Sequence, residues 1–373
     1  MFCHNYVPHP GGLEVMVRNL ASGLAKRHEV TLVTSDWPGA SGVSEEEGMT
    51  VHRLPAVHAA EGRGVPYPVP YGPGLRSALR AVRGADVVHA HGALYAQTIL
   101  AARTARRSAS PLVLTEHVGF VEYRSGLTNR VQRAAWSLIG DRVVARAGAV
   151  TTYNARVQRW LEARFRRPVR YIGNGVDFAR FRPFDEGDED GLRAARGRLG
   201  LPAEGTLVLF VGRASEKKNL DAVLALPRDG FTLVVCGARR GLTGEGLVDL
   251  GVLPYDRMPD LYACVDLMVN PSTGEGFPLA IQEALAAGLP LALLWDEGYD
   301  GWLPRDAVAA CDRLDEIAPA VRALVDDAAA RRRLAAAGRA WAASRWSWDA
   351  TVSAYEDLYG ELLTDAAPAT PAH

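Results

Sequence analysis

The stretch Glu275-Gly276-Phe277-Pro278-Leu279-Ala280-Ile281-Gln282-Glu283 predicts a loop that runs into a helix and carries one carboxylate on each. Pro278 is typical of a first helical turn, because its missing N–H would have no partner there. Gly288 is expected to end this helix about three turns later. The free N–H groups of the first turn form an anion site. Glu275 lies before that site and Glu283 on the helix body, which suits a ligand with hydroxyls on both sides of a diphosphate. On its own, such a glutamate pair is more often a plain amphipathic helix.

Length and composition predict a two-domain protein. The chain has 373 residues, of which 48% are hydrophobic and 23% charged, enough for a large core. No apolar run approaches the roughly 18 to 20 residues that span a bilayer, and the start does not read as a signal peptide. The four cysteines occur singly, without a C-x-x-C or Cys/His cluster. We therefore expect a reduced, cytoplasmic protein without a zinc site.

Charge is divided unevenly along the chain. Residues 1–182 contain 24 Arg and Lys against 13 Asp and Glu, whereas the remainder contains 18 against 30. The basic half favours an anionic acceptor or peripheral contact with an anionic membrane, with a solvated basic face as the alternative. Nucleic-acid binding is not indicated, because the basic residues are dispersed and no reading motif accompanies them. Only three lysines occur beside 39 arginines, and Lys217 and Lys218 are adjacent.

Alternating strand and helix patterns predict two parallel sheets. In the first half the predicted strands are residues 1–7, 30–34, 49–54, 85–91, 112–117, 147–152 and 169–172, with a helix over 13–24. In the second half they are residues 206–211, 231–236, 266–270 and 289–294, with a shorter strand at 248–253. Residues 258–264 and most of 314–359 are predicted helical. An acidic run over 185–190 reads as a linker between domains.

Candidate ligand-binding residues follow the strands. Open parallel sheets bind ligands at the carboxyl ends of their strands. Gly11-Gly12 lies at the first strand-to-helix turn, and His91 and His117 each come at the end of a predicted strand. A buried structural histidine is the alternative for either position. The absence of G-x-G-x-x-G speaks against a dinucleotide site.

Taken in order, these segments resemble the retaining glycosyltransferases of family 4, which have the GT-B fold. The resemblance covers nearly the whole chain. It rests on these motifs: Gly11-Gly12-x-Glu14, Asp86 to Gly92, Thr115-x-His117, Asn174 to Asp177, Phe181-x-Pro183, Val211-Gly212-Arg213 with Lys218, Leu261 to Asp266, Pro271-Ser272, and Glu275 to Glu283. The segment Trp295 to Trp302 departs from the family pattern, which has a small-residue run and Gly-Gly nearby.

The resemblance implies a role for each matching residue. Arg213 and Lys218 would hold the donor diphosphate and stabilise the departing nucleotide without a metal, and no D-x-D pair lies in a suitable loop. Glu275 would bind sugar hydroxyls and Glu283 the ribose diol. The remaining implied contacts are Gly12, Gly276, Phe277, Pro278 and Leu279 on the donor, His117 on the transferred sugar, and His91 and Asn174 on the acceptor side.

The predicted architecture is therefore α/β, with two Rossmann-like domains facing across a cleft. An acceptor-binding domain covers 1–182 and a nucleotide-sugar domain covers 183–345. A helix over 346–362 returns to the first domain, and 363–373 form a disordered tail. Such a chain would transfer a hexose from a UDP- or GDP-linked donor to an acceptor hydroxyl with retention, by front-face attack, with no cofactor. The alternatives are a nucleotide-sugar epimerase or hydrolase of the same fold, or a non-catalytic sugar-nucleotide binding protein.

Overall fold

The structure, a computed structural model, describes residues 1–9, 11–37, 41–58, 67–122, 125–185, 187–237, 241–274 and 279–366. The chain divides into two compact units, which are residues 1–175 with 348–373, and residues 176–347. The predicted boundaries, after 182 and after 345, differ from these. Val176 N–H donates to the Trp346 carbonyl oxygen at 3.2 Å, so the chain enters and leaves unit 2 side by side. Phe181, 1% exposed, packs on the Tyr262 ring within unit 2.

Unit 1 contains a parallel sheet that is covered by helices and has one antiparallel edge strand, and a separate antiparallel pair formed by β4 and β5. Its strands are β1 (Thr31–Ser35), β2 (Gly42–Glu46), β3 (Met49–Leu54), β4 (Ala56–Val57), β5 (Val69–Pro70), β6 (Val88–His91), β7 (Leu112–Thr115), β8 (Ala149–Thr152) and β9 (Arg170–Tyr171). Its first helices are α1 (Gly12–Ala25), α2 (Gly74–Ala81), α3 (Ala96–Ser108), α4 (Gly126–Ala135), α5 (Asp141–Arg146) and α6 (Ala155–Phe165). A π-helical turn, Trp136–Gly140, joins α4 to α5.

The segment around Phe2 joins the two halves of this sheet. The strands pair in the orders β2-β3-β1 and β6-β7-β8-β9, and Phe2 bridges β1 and β6 in parallel. Its N–H donates to the His89 carbonyl oxygen at 2.8 Å, and its own carbonyl oxygen accepts from His91 N–H at 3.0 Å. The predicted strand over 1–7 is thus wrong in extent, because the chain turns where His9 N–H donates to the Tyr6 carbonyl oxygen.

Unit 2 contains a fully parallel six-stranded sheet. Its strands are β10 (Thr206–Val211), β11 (Phe231–Cys236), β12 (Leu247–Gly251), β13 (Leu267–Asn270), β14 (Leu291–Leu294) and β15 (Ala309–Cys311), in the order β12-β11-β10-β13-β14-β15. Its helices are α7 (Glu189–Arg198), α8 (Leu220–Leu224), α9 (Met258–Cys264), α10 (Leu279–Ala286), α11 (Ile317–Asp326) and α12 (Ala328–Arg345). Alternating apolar residues of β10 and β11, such as Val208 and Leu233, are fully buried.

The last helix, α13 (Trp348–Ala366), belongs to unit 1. Tyr355 hydroxyl lies 3.0 Å from Thr115 Oγ1 and 3.3 Å from Thr151 Oγ1, and Tyr359 hydroxyl lies 2.7 Å from His89 Nδ1. A Cβ on Gly175 would collide with the Trp348 backbone, so glycine is required where the chain returns. The helix is thus tied to the centre of the sheet through buried polar contacts.

Two predicted segments differ from the structure in detail. The acidic run read as a linker ends in α7, because the Asp188 carboxylate caps that helix by accepting Gly191 N–H at 3.0 Å. The predicted tail over 363–373 begins inside α13, which extends to Ala366, and residues 367–373 lie outside the described residues. The predicted short strand at 248–253 is confirmed as β12.

Within the described part of the chain, no helix combines the length and apolarity that crossing a membrane requires. All four cysteines, Cys3, Cys236, Cys264 and Cys311, are buried and free. Burial raises the pKa of the Cys3 thiol to about 12, which keeps it protonated.

We predict that Tyr355→Phe loosens α13 locally. The variant keeps the ring and removes the hydroxyl that contacts both Thr115 and Thr151. These two threonines still hydrogen-bond to each other at 2.7 Å. The loss should be about 1 kcal/mol, which corresponds to roughly fivefold faster hydrogen exchange of the α13 amides. Exchange in α11 of unit 2 should not change, and Tyr71→Phe, at a 55% exposed ring, is the matched control. Equal protection of α13 in all three proteins would contradict the assignment.

Candidate active site

The strand order of unit 2 reverses at its centre. Chain order runs outward from β10 to β11 and β12 on one side and from β13 to β15 on the other. Chains that leave the carboxyl ends of β10 and β13 therefore continue toward opposite sides of the sheet, and open parallel sheets bind ligands in the crevice at such a point. Gly212 and Arg213 follow β10, and Pro271 to Gly274 follow β13. The predicted donor residues thus follow the two strands that flank this crevice.

Hydrogen bonds join these two loops. Thr273 N–H donates to the Lys217 carbonyl oxygen at 2.9 Å, and Asn219 Nδ2 donates to the Pro271 carbonyl oxygen at 2.7 Å. Asn219 has φ 48, a left-handed conformation that asparagine tolerates better than most residues. The loop carrying Lys217 and Lys218 is consequently held against the loop that precedes α10.

Arg213 and Lys218 occupy the same end of β10. A Cβ built on Gly212 would lie 3.0 Å from Lys218 Cδ, so the lysine stem packs against the strand end and glycine leaves room for it. Arg213 is exposed and Lys218 is half-buried. The predicted ligand residues Glu275, Gly276, Phe277 and Pro278 lie outside the described residues, and Leu279 is the first residue of α10. The predicted end of that helix is confirmed at Gly288, which has φ 70.

Asp296 supports the loop after β13 from the neighbouring strand. It follows β14, in the segment where the sequence departs from the family pattern. Its Oδ2 accepts Gly274 N–H at 3.0 Å and its Oδ1 accepts Gly298 N–H at 2.7 Å. Gly274 has φ 62 and therefore needs the conformational freedom of glycine.

Glu283 is buried on α10 between two tyrosines. Tyr255 Oη donates to its Oε1 at 2.9 Å and Tyr262 Oη to its Oε2 at 3.1 Å. Burial raises the pKa of Glu283 to about 7, although these two hydrogen bonds and the charge of Arg180 act in the opposite direction. Each carboxylate oxygen can accept a second hydrogen bond beside the one that a described tyrosine donates.

Sequence reasoning did not assign roles to the two tyrosines that hold Glu283. Tyr262 lies on α9 and is 1% exposed, and the guanidinium of Arg180 stacks over the Tyr255 ring at 4.7 Å. An aromatic residue in α9 reads equally well as core, so the pattern alone offers no signal for this contact. The tertiary structure brings the rings and the carboxylate together.

In unit 1 the predicted residues His91, His117 and Asn174 meet through Tyr153. His91 Nδ1 lies 3.3 Å from His117 Nε2, and His117 Nδ1 lies 2.8 Å from the Tyr153 hydroxyl. The Asn174 side chain also hydrogen-bonds that hydroxyl. His91 Nε2 is buried without a hydrogen-bond partner among the described residues. Strands β6, β7 and β8 lie side by side, which explains why residues far apart in sequence form one chain of contacts.

His91 and His117 are both uncharged near neutral pH. Burial lowers the pKa of His117 to about 3, with repulsion from His4 as a smaller cause. Burial also lowers the pKa of His91 well below its ordinary value, helped by His89 and His117. A neutral imidazole can donate one hydrogen bond and accept another, which suits binding of a sugar hydroxyl. Both ring nitrogens of His117 already have protein partners, so a ligand there would exchange one of them.

Glu116 positions His117, a role that the sequence analysis did not assign. Its Oε1 accepts the N–H groups of His117, Val118 and Gly119 at 3.1, 3.2 and 3.1 Å. Its Oε2 accepts Ala93 N–H at 2.7 Å, from the loop after β6. One buried carboxylate therefore orders the loops that follow two adjacent strands. The only sequence signal is an acidic residue directly after a buried strand.

Gly12 opens α1, with a carboxylate folded close to its first turn. Glu14 Oε1 lies 2.7 Å from His9 Nδ1, and a Cβ on Gly11 would collide with the Glu14 side chain. Burial acts to raise the pKa of Glu14, but the hydrogen bond with His9 and the charges of His4 and His9 outweigh it, so the pKa is lowered. Gly11 is thus explained by the Glu14 contact, and the predicted donor role of Gly12 stays a prediction.

Two family models match the chain in succession. The model described as Glycosyltransferase Family 4 matches residues 10–180, and the model described as Glycosyl transferases group 1 matches residues 193–341. The first match runs from unit 1 into the first residues of unit 2. The second match lies entirely within unit 2.

Individual proteins are similar over most of the chain. A D-inositol 3-phosphate glycosyltransferase of Salinispora arenicola is 32% identical over 365 residues, which covers 86% of this chain and 77% of the relative. A GDP-mannose-dependent alpha-mannosyltransferase of Mycolicibacterium smegmatis is 29% identical and covers 97% of this chain and 98% of its own. The crystal structure of Anabaena HepE in complex with UDP-glucose superimposes with a TM-score of 0.72 at 18% identity, covering 96% and 99% of the two chains.

We predict that Glu116→Gln disturbs the loop that carries His117. Glutamine offers one acceptor oxygen where two are used, so at least one buried N–H loses its partner, at a cost of about 1–3 kcal/mol. Thermal unfolding should shift down and transfer activity should fall, while nucleotide affinity, which we place on unit 2, stays unchanged. Glu122→Gln, at an exposed position, is the control. Unchanged stability and activity in Glu116→Gln would exclude the positioning role.

We also predict a pH-dependent contribution of Glu283 to stability. Because its pKa in the folded protein is about 7 and its ordinary value is 4.5, the folded state holds a proton that the unfolded chain has lost. The resulting stabilisation is present at low pH and is lost as pH rises through 7, by about 2 kcal/mol between pH 5.5 and 8. Glu283→Gln removes this titration, so its melting temperature should vary less over this interval. Parallel pH profiles for the two proteins would contradict the raised pKa.

Proposed function

Since this chain belongs to glycosyltransferase family 4, we propose that it transfers a hexose from a UDP- or GDP-linked sugar to an acceptor hydroxyl. The 32% identity to a glycosyltransferase over 86% of the chain establishes the family, and the GT-B fold of two parallel-sheet α/β units agrees with it. The chain is therefore a glycosyltransferase. UDP-glucose is bound by HepE and GDP-mannose is named for the mannosyltransferase, which supports both nucleotides as candidate donors.

The observation that carries this proposal is the reversal of strand order at the centre of unit 2. There a cationic loop and the segment that precedes α10 follow the two central strands at the point where strand order reverses. A diphosphate bound at this edge would meet fixed positive charges and free backbone N–H groups together. This arrangement suits a nucleoside diphosphate better than a neutral ligand.

We assign leaving-group stabilisation to Arg213 and Lys218. When the bond between the anomeric carbon and the phosphate oxygen breaks, negative charge develops on the nucleoside diphosphate. The guanidinium and the ammonium would offset that charge without a metal. Arg213 can bind phosphate through two parallel N–H bonds, whereas Lys218 supplies a point charge on a stem already packed against Gly212.

We assign the two glutamates to opposite ends of the donor. Glu283 would accept hydrogen bonds from the ribose diol, because it presents two oxygens in a fixed orientation set by Tyr255 and Tyr262. Glu275 would accept from sugar hydroxyls, and Gly12 and the residues Gly276 to Leu279 would contact the phosphates and sugar. These roles follow from the family resemblance.

We place the acceptor on unit 1. His91 and Asn174 would line its binding site, and His117 would hold a hydroxyl of the transferred sugar. The low pKa values of the two histidines support neutral hydrogen bonding rather than charge pairing at this site. Glycolipids, small natural products, polyols and growing polysaccharides all present the hydroxyl that the reaction requires.

We propose that transfer retains the anomeric configuration by front-face attack. The acceptor oxygen forms its bond to the anomeric carbon on the side from which the diphosphate leaves, and the leaving phosphate takes the acceptor proton. Retaining glycosidases instead use a carboxylate nucleophile, and the family resemblance suggests no such group here. A trapped covalent glycosyl-enzyme would contradict this mechanism.

We predict that calorimetry with UDP and with GDP, in the presence of EDTA, detects tight binding of one nucleotide. Glu283→Ala should abolish that binding, because it removes the proposed ribose contact. Glu204→Ala is the matched control, since Glu204 is exposed and precedes β10 at the opposite end of the strand. Arg213→Ala and Lys218→Ala should weaken nucleotide binding and lower transfer further.

The same experiment separates the alternatives. Turnover of the donor without any acceptor would favour an epimerase or hydrolase. Binding without turnover against a panel of acceptors would favour a sugar-nucleotide binding protein. Absence of binding by the unaltered chain would contradict the proposed donor site, and binding that requires a divalent cation would contradict metal independence.

A further inference from the structure

Helices α2 and α3 of unit 1 form a groove lined by arginine. Arg76, Arg80 and Arg83 come from α2 and the turn after it, and Arg107 comes from α3, around the apolar stem of Leu79. The four arginines are exposed. Neither helix contains an acidic residue. The groove therefore concentrates positive charge without compensation from its own helices.

A second groove of the same character lies on the other side of α3. Arg103 and Arg106 of α3 face Arg142 and Arg146 of α5, with Leu138 of the π-helical turn between them. Because both grooves share α3, they form one continuous surface, which we call the arginine face. Residues 74–108 and 125–146 together contain ten arginines and only two acidic residues, Asp86 and Asp141.

Ion pairing also distinguishes these arginines from several exposed arginines in other parts of the chain. Arg27, for example, pairs with Glu356, and Arg313 pairs with Asp315. Within the described residues, the arginines of α2 and α3 make no ion pair, and Asp141 pairs outward with Arg164 at 2.8 Å. Uncompensated charges at this density repel each other, so an anionic partner would relieve the repulsion.

Exposed aliphatic side chains occur on α4 and on the π-helical turn that joins α4 to α5, where Leu138 lines the second groove. Leu127 and Val131, four residues apart on α4, are 72% and 62% exposed, and Leu138 is 62% exposed. The spacing puts Leu127 and Val131 on the same side of the helix. A helix with arginines and projecting aliphatic residues matches the composition of segments that lie in the interface of a membrane.

We propose that the arginine face, with Leu127, Val131 and Leu138, docks this protein on an anionic lipid surface. Lipid phosphates would bind the arginines, and the aliphatic side chains would enter the boundary of the acyl region. A nucleic acid would satisfy the charges but would leave three aliphatic side chains unused, and the described residues that line the two grooves include no aromatic ring for base stacking. The inference extends beyond the proposed reaction and does not depend on it.

The test is co-sedimentation of the full chain with vesicles. We expect binding to vesicles of phosphatidylcholine with 30% phosphatidylglycerol, weak binding to pure phosphatidylcholine, and loss of binding as salt rises. A variant with Arg103→Gln, Arg106→Gln and Arg107→Gln should bind tenfold or more weakly, since each basic residue near the surface contributes appreciably. A second variant, Leu127→Ser with Val131→Ser, should bind the anionic vesicles more weakly at unchanged charge.

The matched control carries Arg313→Gln, Arg322→Gln and Arg332→Gln, which remove the same charge from exposed positions of unit 2. It should bind vesicles like the unaltered chain. Nucleotide calorimetry on all variants should stay unchanged, which separates failure of docking from failure of the donor site. No binding to anionic vesicles, equal loss in the control, or preferential binding of duplex RNA that survives the serine variant would each overturn the proposal.

Discussion

Parallel pairing of the central strands is the constraint on which both units depend. A buried parallel strand must satisfy its N–H and C=O groups on two sides, so β10 pairs with β11 and β13, and Phe2 bridges β1 and β6. In unit 2 the strands that follow β10 and those that follow β13 lie on opposite sides of the sheet centre, so the loops after these two strands meet at one edge. The side chains on the loops at that edge are therefore the ones placed to bind a ligand.

Burial determines the chemistry at those edges. Glu283, Glu116, His91 and His117 are each at most 5% exposed. Deprived of water, each finds protein partners: tyrosine hydroxyls for Glu283, four backbone N–H groups for Glu116, and a shared chain of hydrogen bonds for the histidines. Such partners orient each group before a ligand arrives, and the same burial moves the pKa of Glu283 up and those of the histidines down. Preorganisation and altered protonation thus have one physical cause.

Unit 1 separates two kinds of polar group. The buried, neutral His91 and His117 lie where β6 and β7 end, whereas the arginines of α3 lie in the second half of a helix that starts from that edge. A helix of 13 residues is about 20 Å long, so charge in its last turns acts away from the histidines. The last helix, α13, is held against the sheet by Tyr355 and Tyr359, which contact Thr115 and His89.

The sequence by itself determined the alternation of strands and helices and the end of α10 at Gly288, because these depend on local periodicity and on residue types with fixed backbone preferences. The family followed from the resemblance of its motifs in order and spacing. It also identified His91 and His117 as candidates, since each lies at the end of a predicted strand, and the family resemblance added Asn174. Only the tertiary structure showed that Tyr153 joins them, that Tyr255 and Tyr262 hold Glu283, and that Glu116 orders the His117 loop. These contacts join residues that are distant in sequence or depend on how two loops meet. Their existence depends on strand order and register, which no local pattern encodes.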